Sequence, residues 1–158
     1  LNAARLAALG LLNCELRCAE YVEELPQLLS DSRWHSCLLF PGEQSVAVGR
    51  FATESAAKPL QLVVPDGTWR KVRKLLHLNP ALAALPRVTL ASVSASRYRV
   101  RKAAMPGALS TIEAIVQALE EVEGHGLFQP LLRPFEALIE GQIAAMGEAT
   151  YQRNHPLD

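Results

Sequence analysis

The sequence predicts an α/β fold, a mostly parallel sheet flanked by helices, built as one domain over residues 1–158. Three observations lead there. Short apolar runs, each bounded by Pro or Gly, alternate with longer stretches of helical period, as in buried parallel strands joined by helices. With 158 residues and 49% hydrophobic content, the chain can bury about two-thirds of its unfolded surface around one core. No linker, internal repeat or low-complexity tract divides it.

The elements follow in order. Residues 3–12 predict a helix with Leu6, Leu9 and Leu12 near one face, and residues 14–19 a strand. Three further strands are expected: residues 35–40, stopped by Pro41 and Gly42; residues 60–64, stopped by Pro65, Asp66 and Gly67; and residues 87–90, entered through Pro86. Trp69, Val72, Leu75 and Leu76 form one face of a helix whose other face is Arg70, Lys71, Arg73, Lys74 and His77. Ile112, Ile115, Val116, Leu119 and Val122 mark a second amphipathic helix ending at Gly124. Leu131, Phe135, Leu138, Ile139, Ile143 and Met146 mark a third, starting after Pro130 and Pro134. Open parallel sheets bind ligands beyond the carboxyl ends of their strands. The expected site is therefore where residues 40–42, 66–69 and 91–111 meet.

Composition narrows the class. Balanced charge and high apolar content exclude disorder, and no apolar run approaches the roughly 20 residues of a membrane helix. A soluble, cytoplasmic protein is expected. The odd count of cysteines, Cys14, Cys18 and Cys37, makes no disulfide framework and suits a reducing compartment. Cys14 and Cys18 lack a second ligand pair, so no metal site is expected. The formal net charge of zero hides a partition. The 46 residues between Asp66 and Glu113 contain no acid and nine cations: Arg70, Lys71, Arg73, Lys74, Arg87, Arg97, Arg99, Arg101 and Lys102. That segment carries +9 and the remainder −9, an arrangement suited to a polyanion on one face.

Asp66 stands between a strand and a helix, where it either caps the helix or serves the site. Arg70 and Lys71 in the first turn oppose the helix dipole, which is tolerable where an anion binds. Trp69 offers a flat face for stacking, or a core side chain. Ser110, Thr111, Ile112 and Glu113 match a capping box, giving Ser110 and Glu113 a structural role. Tyr98 and Arg101 lie in a polar stretch with Arg97 and Arg99, either a solvated loop or one that holds a carboxylate or phosphate. No P-loop, GxGxxG, HExxH or GxSxG occurs, which removes the usual support for kinases, Rossmann dehydrogenases, zincins and α/β-hydrolases.

Four motifs in register resemble the DTW domain family: Pro65-Asp66-Gly67-Thr68-Trp69, Leu85-Pro86, residues 96–101 (SRYRVR) and residues 110–114 (STIEA). Asn2-Ala3-Ala4-Arg5-Leu6 is similar to its Asn-Thr-x-Arg-Leu segment, with Ala3 in place of Thr, and Leu39-Phe40-Pro41-Gly42 to its Phe-Pro loop. The resemblance covers nearly the whole chain. It implies a knotted, SPOUT-like α/β fold and an enzyme that moves the 3-amino-3-carboxypropyl group of S-adenosylmethionine onto N3 of a tRNA uridine. It also implies an N-terminal cysteine-rich module and a first strand that do not precede Leu1, so the chain is expected to be a DTW domain without them. On this reading Asp66 is the candidate base, with a role in holding the donor as the alternative. Phe40, Pro41, Gly42, Thr68, Trp69, Tyr98, Arg101 and Thr111 would hold the donor. Arg70, Lys71, Arg73, Lys74, Arg97 and Arg99 would hold RNA. A SPOUT-like RNA methyltransferase and a catalytically inert RNA-binding domain are the alternatives.

Overall fold

The computed structural model describes residues 3–91, 109–147 and 150. The elements run α1 (Ala3–Gly10), α2 (Leu25–Leu29), β1 (His35–Leu39), β2 (Val46–Ala47), α3 (Val48–Glu54), β3 (Leu60–Val63), α4 (Trp69–Leu78), α5 (Pro80–Ala83), β4 (Arg87–Thr89), α6 (Thr111–Glu123), a 3-10 turn (Gln129–Leu132) and α7 (Arg133–Met146). They cluster into two compact units, residues 16–91 and residues 1–15 with 92–158.

The first unit is a four-stranded sheet in the order β2-β4-β1-β3, and every pair in it is parallel. β1 lies inside the sheet, with Cys37 opposite Leu62 on one side and Leu39 opposite Val88 on the other. Cys37 and Leu38 are adjacent yet both fully buried, because helices cover both faces. Leu38 packs with Val72 and Leu76 of α4 and Leu82 of α5, backed by Leu25 and Leu29 of α2. On the alternate face, the His35 ring meets Phe51 of α3 edge-on at 4.7 Å. Burial pushes the Cys37 thiol up to about 12, since a thiolate there would lose its water.

The end of α4 holds a feature that hydrophobic periodicity does not reveal. Asn79 is only 3% exposed. Its Nδ2 donates to the carbonyls of Glu20 and Leu75, both at 2.8 Å, and its Oδ1 accepts from the Val22 amide at 3.0 Å. This amide fixes residues 20–22 to the helix end. The strand expected over residues 14–19 does not form: these residues are exposed and without regular structure. The alternation there offers only Leu16 as a large apolar side chain, with the small Cys14 and Cys18 on the same face, too little to fill a strand face.

In the second unit α1 contacts α6 and α7. The helix is shorter than expected and buries Ala4 and Ala7, whereas Leu9 and Leu12 are exposed. Gly10 ends it, with the tip of the Leu131 side chain packed in the space a Cβ would take. α6 begins with a complete capping box: the Glu113 amide donates to Ser110 Oγ at 3.4 Å, and the Ser110 amide donates to Glu113 Oε1 at 3.3 Å. Ile112, Ile115 and Val116 of α6 and Phe135 and Ile139 of α7 are buried. Glu120 is buried too, accepting from Gln129 Nε2 at 3.0 Å. Among the described residues, no helix is long and apolar enough to cross a membrane.

Candidate active site

Parallel pairing puts the carboxyl ends of β1, β3 and β4 at one edge of the sheet unit. The loops after β1 and β3 are neighbours there because their strands are. After Leu39 the chain turns sharply, the Phe40 amide donating to the Leu38 carbonyl at 2.9 Å. The Phe40 ring then meets the Trp69 ring with centroids 5.1 Å apart and planes tilted by 51°. Trp69 stands at the start of α4 and is 46% exposed, so it is not the core side chain its helical spacing permits.

Gly67 explains how the second loop reaches this geometry. Its φ of +143° is one that side-chain-bearing residues rarely adopt, and a Cβ there would lie 3.3 Å from Lys71 Cβ. The turn displaces the cap by two residues. Thr68, not Asp66, is the N-cap of α4: its Oγ1 accepts from the Lys71 amide at 3.4 Å. Asp66 is therefore an exposed carboxylate before the helix and not its cap. The first turn of α4 has no acid, and Arg70 and Lys71 stand in it.

The first loop is braced by a residue that sequence reasoning assigned only to general charge. Arg87 of β4 donates from Nη1 to the Pro41 carbonyl at 3.2 Å, and its guanidinium lies over the Phe40 ring at 5.5 Å. That geometry combines a hydrogen bond with a cation–π contact. Gly42 lets Arg87 approach closely, since a Cβ there would sit 3.2 Å from Arg87 Cγ. Ser45 closes the loop by donating its hydroxyl to the Gly42 carbonyl at 2.9 Å. No sequence motif announces Arg87; the β1–β4 register brings it alongside Leu38.

The outward face of α4 carries Arg70, Lys71, Arg73 and Lys74, all exposed. Lys74 is already paired: its Nζ lies 2.7 Å from Glu20 Oε2. Thus the structure brings together Phe40, Pro41, Gly42, Thr68 and Trp69, with Asp66 next in the chain and the α4 cations following. Ser110, Thr111 and Glu113 belong to the second unit. Tyr98, Arg97, Arg99 and Arg101 lie outside the described residues. Among the described residues, no group of three or more His, Cys, Asp or Glu side chains is placed to hold a metal ion.

Residues 1–143 match the DTW domain family. The protein named tRNA-uridine aminocarboxypropyltransferase 2 of Drosophila melanogaster is 36% identical over 107 residues, covering 67% of this chain and 42% of its own length. Its namesakes in Macaca fascicularis and Mus musculus are 27% and 29% identical over 121 residues, covering 76% of this chain and 41% and 40% of theirs. The chain therefore spans about two-fifths of the length of these curated relatives. No solved structure matches it.

Proposed function

Because the chain belongs to the DTW domain family, we propose that it transfers the 3-amino-3-carboxypropyl group of S-adenosylmethionine to N3 of a tRNA uridine. The observation that carries this reading is the turn from Asp66 to Trp69 at the end of β3, set directly against Phe40 of the loop after β1. The relatives' name, tRNA-uridine aminocarboxypropyltransferase 2, supports the same class. The parallel order β2-β4-β1-β3 agrees with a SPOUT-like knotted fold, which we take as the architecture. Cytoplasmic tRNA is the expected substrate.

The local chemistry suits that donor. Trp69 and Phe40 present aromatic surface for an adenine, and Gly67 permits a backbone conformation that side-chain-bearing residues rarely adopt. The sulfonium makes the γ-carbon of the methionine portion electrophilic. N3 of uridine forms a bond to that carbon as the carbon–sulfur bond breaks, methylthioadenosine leaves, and N3 gives up its proton. Asp66, an exposed carboxylate just before α4, accepts this proton. Arg101 clamps the donor carboxylate and orients the transferred group, with Tyr98 and Trp69 stacking on the adenine or the target base. Pro41 and Thr68 complete the donor-binding set on the sheet unit. Arg70, Lys71, Arg73 and Lys74, with Arg97 and Arg99, hold RNA phosphates.

The test is chromatographic. Incubation with S-adenosylmethionine and tRNA should release methylthioadenosine, and Trp69→Ala should raise the donor concentration needed. Release of S-adenosylhomocysteine would assign methyl transfer instead, and release of neither would remove the transferase reading.

A further inference from the structure

The cation face of α4 does not stand open along its whole length. Glu20 lies 54 residues away in sequence, yet its Oε2 accepts from Lys74 Nζ at 2.7 Å. This is more than a chance meeting of two long side chains, because the Glu20 backbone is fixed to the same helix. Its carbonyl accepts from the buried Asn79 side chain at 2.8 Å, and the Val22 amide donates back to Asn79 at 3.0 Å. The hydrogen bond from Lys74, with the charge of Lys71 adding to it, holds the Glu20 carboxyl below its ordinary range. A carboxylate oxygen on an ammonium group presents the same chemistry there as a phosphodiester oxygen.

We propose that Glu20 is a built-in competitor for the RNA backbone: its carboxylate occupies on Lys74 the position of an RNA phosphate, and tRNA binding along α4 opens the Glu20–Lys74 pair. This rests on the reading that the chain binds tRNA through α4. Arg70 and Lys71, one turn nearer Trp69, then make the first phosphate contacts, and Lys74 joins only after Glu20 is displaced. The pair thereby weakens non-productive binding of any polyanion, since each must displace a group held at fixed position. Rim charges of this kind act mainly on association rate and salt dependence.

The experiment measures binding of fluorescent tRNA, and of an oligouridylate, to the full chain at low salt. Both partners are exposed, so Glu20→Gln leaves the core untouched. It should tighten RNA binding about two- to five-fold, the range of an exposed ion pair. Glu23→Gln, which removes an exposed charge from the same segment, should change binding less than Glu20→Gln does. Lys74→Gln should weaken binding more in the Glu20→Gln background than in the parent chain, because only there is Lys74 already released. Equal effects in both backgrounds, or equal tightening by Glu23→Gln, would overturn the proposal while leaving tRNA binding itself established. If no variant bound either RNA, the reading of α4 as an RNA surface would fall, and the competitor with it.

Discussion

Replacing Asn79 with Ala should unfold the sheet unit more readily by about 2–4 kcal/mol. The figure follows from the hydrogen bonds the side chain makes. Three are lost: two donated to the carbonyls of Glu20 and Leu75, and one accepted from the Val22 amide. The Leu75 carbonyl keeps a partner, because the Asn79 backbone amide also donates to it at 3.1 Å. The Val22 amide and the Glu20 carbonyl lose theirs. A neutral hydrogen bond contributes about 1 kcal/mol net, and a buried amide left unpaired costs about 1–3 kcal/mol. For a chain of this size the corresponding fall in Tm is roughly 5–15 °C. Both tryptophans, Trp34 and Trp69, belong to the sheet unit, so urea unfolding followed by fluorescence reads this unit specifically. A loss below about 0.5 kcal/mol, the ordinary range of surface changes, would refute the clamp.

Asp66→Asn should lower turnover far more than donor affinity, since a lost base acts on the transition state; equal loss of affinity at unchanged turnover would make Asp66 a donor ligand. Changing Arg70, Lys71, Arg73 and Lys74 together to Gln should weaken tRNA binding and lower its log–log salt slope by up to about four units for duplex contacts, or about three for single-stranded ones. An unchanged slope would move the RNA site away from α4. Cys14 and Cys18 are exposed and Cys37 is buried with its thiol pushed up to about 12, so an alkylating reagent at about pH 8 should tag the first two and reach Cys37 only after denaturation. Ready labelling of Cys37 in the folded protein would show that the sheet is not closed over β1.

The strands that matter most could be read from the sequence because Pro and Gly bound them. Pro41 and Gly42 end β1, Pro65 follows β3 and Pro86 precedes β4, so each apolar run had a visible edge. The Ser110–Glu113 pair and Gly124 likewise marked both ends of α6 through their own chemistry. β2 and α3 left no such trace, and α2 and α5, though each has a Pro in its first turn, are too short to show a helical period. β2 is two residues long and passes directly into α3, and α5 is a single turn held between Asn79 and Ala84. Their existence depends on sheet pairing and packing that no local window contains. The site shows the same division. Trp69 beside Asp66 was visible as a motif, but the shift of the cap to Thr68 depends on the φ of Gly67. The contacts of Glu20 and Arg87 escaped notice because their partners, Lys74 and Pro41, lie 54 and 46 residues away.

The product nucleoside records which carbon of the donor reaches which atom of the RNA. After incubation of the chain with S-adenosylmethionine and uridine-containing tRNA, digestion to nucleosides and mass spectrometry should reveal a uridine heavier by one aminocarboxypropyl group, with fragmentation placing it on the base at N3. The same digest from the Asp66→Asn variant should lack it. A uridine heavier by a methyl group, or tRNA unmodified although both donor and tRNA bind, would contradict the assignment.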